Sequence, residues 1–441
     1  MPRRVLSRWI DAVALYRDRR MVTILLLGFA SGLPLLLTLS TLSVWLKESG
    51  VTKTTIGLFA LVGTPYAFKF LWAPLVDRLR LPLFTALLGR RRGWMVATQL
   101  ALMAALVALG ASDPLVDPWT TALAALVVAF CSASQDIVID AYRVEVLDER
   151  QYGAGAAMIV FGYRIGLLVA GAGALYLASY LEWFAVYLIM AALVLVGTGA
   201  ILFGPEPEAA PGSAGDGAAR VGWAAIVAWI RQAVIAPFAD FMTRGGWAAI
   251  LVFVILYKLG DSLAGIMANP FYLELGFTKI EIANVSKLFG LAATLLGGFV
   301  GGVLVGRRGI MTSLMICGVL QMLSNLMFAV QALVGQDIAM LTLTIGVENL
   351  TGGMGTAAFV AYLSRLCSLS FTATQYALLS ALTAVPRTMI SSSGGWLADN
   401  LDWVSFFLLT TAAAVPGLLL LAWLMRNERR SPTVAGAGGA L

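Results

Sequence analysis

The chain has 441 residues, of which 60% are hydrophobic and only 12% charged, and its mean hydropathy is +0.86. Soluble domains carry about 25% charged residues, so this composition excludes a water-soluble globular protein and predicts an all-α integral membrane protein. Histidine is absent, which removes histidine-ligated zinc, Ser-His-Asp catalysis and a histidine proton relay, and the net charge of +6 sits in short loops beside apolar runs, where it reports membrane orientation and not nucleic-acid binding.

In chain order, residues 1–20 read MPRRVLSRWIDAVALYRDRR, too long and too charged before the first apolar run for a cleaved signal peptide. A spanning helix needs about 20 mostly apolar residues. Such runs predict six spans at 21–46, 54–76, 94–110, 119–146, 153–178 and 183–203, a first six-helix half over 21–203. Residues 204–243 begin GPEPEAAPGSAGDGAARVG and continue in a short amphipathic stretch, which predicts a linker. Six further spans at 244–268, 280–305, 310–331, 337–364, 372–398 and 403–425 form a second half over 244–425, and 426–441 is a tail. Cys131, Cys317 and Cys367 lack paired spacing, so neither a disulfide framework nor a metal site is expected.

Lys and Arg in short loops stay on the cytoplasmic side. The termini and the loops after even-numbered spans hold 21 of the 30 basic residues, whereas the opposite loops hold only Lys47, Lys53 and Lys279. Both termini and the linker are therefore expected in the cytoplasm. Residues 177–183, LASYLEW, match 397–403, LADNLDW, at the outer end of the fifth span of each half. Parallel repeats of this kind are a feature of major facilitator carriers. APLVDR at 73–78 followed by GRRRG at 89–93 resembles the acidic-basic signature loop between helices 2 and 3 of that superfamily, which makes Asp77 and Arg78 gating candidates.

An ionisable residue at the centre of a span costs roughly 2.5–3.5 kcal/mol on insertion scales, so each needs a partner, a water-filled cavity or a function. In SASQDIVIDAYRVEVL, Asp136, Asp140 and Arg143 follow steps of four and three and share one helix face. Either they form a structural ion pair, or the carboxylate that Arg143 leaves over binds a proton. Lys258 and Asp261 are three apart and able to pair. Lys69, Lys287, Arg164 and Arg387 have no acid within helical reach in their own spans and are expected to face a shared cavity. Glu348 lies on a glycine-rich tenth span, and Glu348 and Asp261 are the further proton-site candidates.

The stretches GFASGLPLLLTLSTLSVWL, FKFLWAPLVDR, FCSASQDIVIDAY, GAGAAMIVFGYRIGLLV, ILYKLGDS, ENLTGGMGTAAFVAYL and FTATQYALLSAL resemble the anhydromuropeptide permeases of Gram-negative bacteria, in order along nearly the whole membrane region. The resemblance implies a major facilitator fold of twelve helices in two six-helix halves. It also implies a monomeric inner-membrane carrier, surrounded by lipid, that imports N-acetylglucosamine-1,6-anhydro-N-acetylmuramic acid, with or without peptide, for peptidoglycan recycling. The driving force would be the proton gradient, with no cofactor. For such a ligand, Lys69, Arg164, Lys258, Lys287 and Arg387 are the anion candidates, Gln135, Asn325, Asn349 and Gln375 the amide candidates, and Tyr66 and Tyr163 candidate stacking faces. An acetyl-coenzyme A-type carrier is the alternative. A membrane enzyme is disfavoured, because no nucleophile-base pair or metal cluster is visible.

Overall fold

A computed structural model describes residues 14–208, 235–383, 397 and 400–430. Among them, nine helices are long and apolar enough to cross a membrane, including Arg19–Glu48, Pro118–Val146, Glu149–Ala178 and Trp403–Glu428. The chain separates into two compact units, Met1–Ala239 with Leu363–Ala381, and Asp240–Tyr362 with Leu382–Leu441.

The first unit opens with α1 (Arg19–Thr38), whose N-cap Asp18 accepts 2.9 Å from the Arg20 N–H. It continues past Leu39 into α2 (Ser40–Glu48). The second expected span, 54–76, is not one helix. It is divided into α3 (Lys53–Leu58), α4 (Thr64–Phe68) and α5 (Ala73–Arg78), joined by 3-10 turns at Phe59–Gly63 and Lys69–Leu71. Pro65 and Pro74 sit in the first turns of α4 and α5, where a missing N–H is harmless, whereas within a continuous helix each would remove a backbone hydrogen bond and crowd the carbonyl four residues back. A short α6 (Phe84–Leu88) then leads into α7 (Arg90–Gly110), α8 (Pro118–Val146), α9 (Tyr152–Leu168), α10 (Ala174–Ala178), α11 (Trp183–Leu193) and α12 (Leu195–Phe203).

Packing, not water exclusion, holds such helices together, because lipid tails are as apolar as leucine. Accordingly α1 and α9 cross at glycine: a Cβ on Gly162 would overlap the Leu25 carbonyl, and one on Gly28 the Ile159 carbonyl. Leu33, Leu37, Leu102, Leu106 and Tyr187 fill the core beside them.

The second unit contains α13 (Ala236–Met242) in part, then α14 (Trp247–Leu256), α15 (Leu259–Glu274), α16 (Lys279–Ile282), a π-turn at Ala283–Phe289, α17 (Gly290–Arg308), α18 (Ile310–Val334) and most of α19 (Ile338–Arg365). A helix over 372–383, α20, packs with the first unit, and α21 (Trp403–Arg430) closes the second. Its core is aromatic, with Phe328 stacked on Phe407 at 4.9 Å and Phe271 edge-on to Phe407 at 4.9 Å. The tenth expected span, 337–364, is the single helix α19, but Glu348, Asn349 and its threonines make it less apolar than the nine. Residues 384–396 of the eleventh expected span, Arg387 among them, lie outside the described residues, as do 209–234 of the linker.

Candidate transport and gating site

The long helix α8, 29 residues, carries the polar centre of the first unit. Asp136 accepts 2.6 Å from the Ser31 hydroxyl of α1. Four residues on, Asp140 lies between two cations, 3.6 Å from Lys69 Nζ and 3.5 Å from Arg143 Nη2. Arg143 is fully buried; its Nη1 donates 2.8 Å to Ser364 Oγ and its guanidinium lies 5.1 Å from the Tyr376 ring centroid.

Lys69 is delivered by the broken second span, at the first residue of a 3-10 turn. The acid missing from its own span is supplied by α8. Two carboxylates and two cations therefore balance when all are ionised, and the carboxylate left over on α8 alone is compensated across helices. Gln135 is buried beside them, with neither amide atom hydrogen-bonded among the described residues. The Tyr66 hydroxyl is buried without a hydrogen-bond partner among the described residues. Tyr163 is half-buried, and the neighbouring Arg164 is exposed on α9.

In the second unit, Lys258 sits at the break between α14 and α15, 3.2 Å from Asp261 Oδ2 and 3.4 Å from Gln321 Oε1. This is the pairing its spacing predicts. Glu348 Oε2 accepts 2.7 Å from Asn349 Nδ2, which also donates 3.1 Å to the Ile345 carbonyl, while Asn349 Oδ1 accepts 2.8 Å from Thr294 Oγ1. Asn349 is thereby held by protein groups. Asn325 is buried with its Nδ2 unbonded among the described residues. The Lys287 backbone lies in the π-turn; its side chain is outside the described residues.

A third group closes one end of the first unit. Asp77, buried at the end of α5, accepts 2.9 Å from Arg91 Nη2, 3.1 Å from the Ala373 N–H, 2.9 Å from the Thr374 N–H and 2.8 Å from Thr374 Oγ1. The two backbone donors belong to the first turn of α20, where a carboxylate is favoured by the helix dipole. Arg91 also binds Glu145, through Nε at 2.9 Å and through Nη2, and Arg90 reaches both Glu145 oxygens at 3.2 Å. Arg78 stands 5.3 Å over the Phe371 ring. Gln375 accepts 2.7 Å from the Ser368 N–H and donates 3.0 Å to the Pro237 carbonyl, so both ends of its amide engage backbone.

The sequence singles out Asp77 and Arg78 as gating candidates within a signature loop that includes Arg90 and Arg91, but gives Glu145 no role. The signal was present in a span-end glutamate on the helix that already carries three charges, opposite a loop with three consecutive arginines.

A major facilitator fold is shared with solved structures. The proton:xylose symporter XylE aligns with a TM-score of 0.60 at 12% identity, over 95% of this chain and 96% of that one. The Escherichia coli fucose:proton symporter FucP aligns with a TM-score of 0.66 at 11% identity, over 92% and 98%. The family described as acetyl-coenzyme A transporter 1 matches residues 20–191. The anhydromuropeptide permease of Escherichia coli strain K12 is 44% identical over 411 residues, 92% of this chain and 80% of the relative. A Rickettsia felis protein named as transporter AmpG 4 is 37% identical over 94% of this chain and 98% of its own length. The chain is thus a multi-pass membrane transporter of the major facilitator fold, and it belongs to the AmpG family of anhydromuropeptide permeases.

Proposed function

We propose that the protein imports anhydromuropeptides across the bacterial inner membrane, driven by the proton gradient, and so serves peptidoglycan recycling. The observation that carries the substrate is the 44% identity along 92% of the chain to a protein named anhydromuropeptide permease. The basic-residue asymmetry of 21 against 3 supports cytoplasmic termini, a cytoplasmic linker and a gate at Asp77 on the same side.

Charge balance supports the coupling. With Asp136, Asp140, Lys69 and Arg143 all ionised, the group on α8 is neutral. Adding a proton to Asp140 makes the group cationic and takes the ionised partner from Lys69, which can then meet an anionic group such as a peptide carboxylate. Proton and anionic substrate then bind together more favourably than either alone, which is the reciprocal coupling a symporter requires. The unbonded amide of Gln135 and the Tyr66 ring suit the amides and sugar faces of the same ligand. The domain assignment follows from the repeats: 21–203 and 244–425 as six-helix halves, joined through 204–243.

A second reading, an acetyl-coenzyme A-type carrier, has the match over residues 20–191 in its favour. A polyanionic nucleotide needs several uncompensated cations, yet Lys69, Arg143 and Lys258 each face a carboxylate. Uptake of labelled anhydromuropeptide into vesicles, with acetyl-coenzyme A as competitor, separates the two. Uptake that unlabelled muropeptide suppresses and acetyl-coenzyme A leaves unchanged supports the proposal, and the reverse pattern overturns it.

A further inference from the structure

A groove of about 330 Å³ runs along the first unit between α1 and α12. Val22 and Leu26 form one wall and Leu195 and Phe203 the other. Val22, Leu195 and Phe203 are 53%, 50% and 77% exposed, so the groove opens outward from the unit towards the hydrocarbon. Gly199 keeps it open: a Cβ there would meet no atom within 4 Å. An apolar channel of this kind fits a hydrocarbon chain and offers nothing to a sugar.

One end of the groove is basic. Arg19 lines it, exposed, and donates 3.0 Å to the Phe203 carbonyl; Arg92 donates 2.7 Å to the preceding carbonyl, Leu202. Both arginines thus stand at the C-terminal end of α12, where the helix dipole favours cations. That role does not exhaust them. A guanidinium presents five N–H donors, and each of these carbonyls engages a single nitrogen. Arg92 Nε is buried without a hydrogen-bond partner among the described residues. Arg17, two residues before Arg19, is exposed. The acids close by are turned to other groups: Asp18 pairs with Arg20 and accepts from Gln151, and Glu206 accepts from the backbone N–H groups of Arg91 and Arg92.

We infer that this groove is a binding site for one anionic phospholipid, with an acyl chain laid past Gly199 and the headgroup phosphate held by Arg19, together with Arg17 and Arg92. The charge decides the class of lipid. Planar guanidinium forks match a phosphate, and the net positive headgroup end gives an anionic lipid an advantage that a zwitterionic one lacks.

Native mass spectrometry of the intact protein, with equimolar phosphatidylglycerol and phosphatidylcholine of identical chains, tests this. One phosphatidylglycerol should be retained in preference to phosphatidylcholine. Arg19→Gln should lower that preference about fivefold, the weight of one basic residue at a membrane surface. Because Arg19 also holds Phe203, Arg17→Gln is the companion variant; it leaves that bond in place and should lower the preference as well. Gly199→Leu should reduce retention of both lipids by filling the groove without touching the arginines. Equal retention of the two lipids by the unaltered protein overturns the inference. So does wild-type preference and occupancy in Arg17→Gln and Gly199→Leu, since the arginines would then only cap α12 and the groove would hold ordinary bilayer lipid.

Discussion

At the scale of single residues, the decisive feature is that buried charge is shared between helices. Arg91 is 1% exposed and compensates both Asp77 and Glu145, themselves 2% and 3% exposed. Removing one partner from a buried ion group costs about 3–5 kcal/mol, because the remaining charges stay desolvated and unpaired. Arg91→Ala should therefore lower the thermal stability of the detergent-solubilised protein sharply, whereas an exposed arginine such as Arg17 changed to alanine should leave it nearly unchanged. Equal melting temperatures for the two variants would show that Arg91 is dispensable. This scale also marks the limit of what the sequence reveals. Spacings of four and three along one helix are visible in a string of letters, so the Asp136, Asp140 and Arg143 face and the Lys258–Asp261 pair were legible. Contacts between helices carry no such period: Ser31 with Asp136 and Lys69 with Asp140 join residues separated by 105 and 71 positions. The compensation of the extra carboxylate was hidden for that reason.

At the scale of elements, helix contact and helix ends give two further tests. Gly162 lies where α9 touches the α1 backbone, and a side chain there has no flexible neighbour to displace. Overpacking of this kind costs about 1–3 kcal/mol, so Gly162→Leu should lower stability and Gly199→Leu, facing open space, should not; thermal unfolding of both in one detergent compares them. Asp117 is the N-cap of α8, accepting 3.1 Å from the N–H groups of both Trp119 and Thr120. The Thr120 hydroxyl, and then the Thr120 N–H, hold its carboxyl below the usual aspartate range. A lowered carboxyl contributes stability that is present above the unfolded-state value and is lost as pH falls through the folded one. Asp117→Asn should accordingly flatten the acid-side loss of stability below about pH 4, and an unchanged profile would deny the cap that role. Hydropathy made most helices legible because a long apolar run has few alternatives in a bilayer. It failed at 54–76, where the breaks in the helix fall just before Pro65 and Pro74, whereas the expected span around Glu348 is one unbroken helix although it is less apolar than the others.

At the scale of the whole chain, the internal repeat is written in side-chain bonds as well as letters. The Trp183 indole donates 3.0 Å to Glu48 at the end of α2, and the Trp403 indole donates 2.8 Å to Glu274 at the end of α15. In each unit the tryptophan that ends the repeated motif thus secures the end of that half's first helix, which gives LASYLEW and LADNLDW one physical purpose. The fold class and the family were legible because composition and ordered motifs extend over the entire chain. The proposed coupling residues were only partly so, because their pairing depends on how the first unit packs. Proton-coupled muropeptide transport through the α8 carboxylates is the central proposal. The most direct measurement uses purified protein in proteoliposomes and labelled anhydromuropeptide, comparing accumulation under an imposed proton gradient with gradient-free counterflow for the unaltered chain, Asp136→Asn and Asp140→Asn. The expected result is gradient-driven accumulation in the unaltered chain, lost in at least one variant that still performs counterflow; accumulation indifferent to the gradient, or retained in both variants, would contradict it.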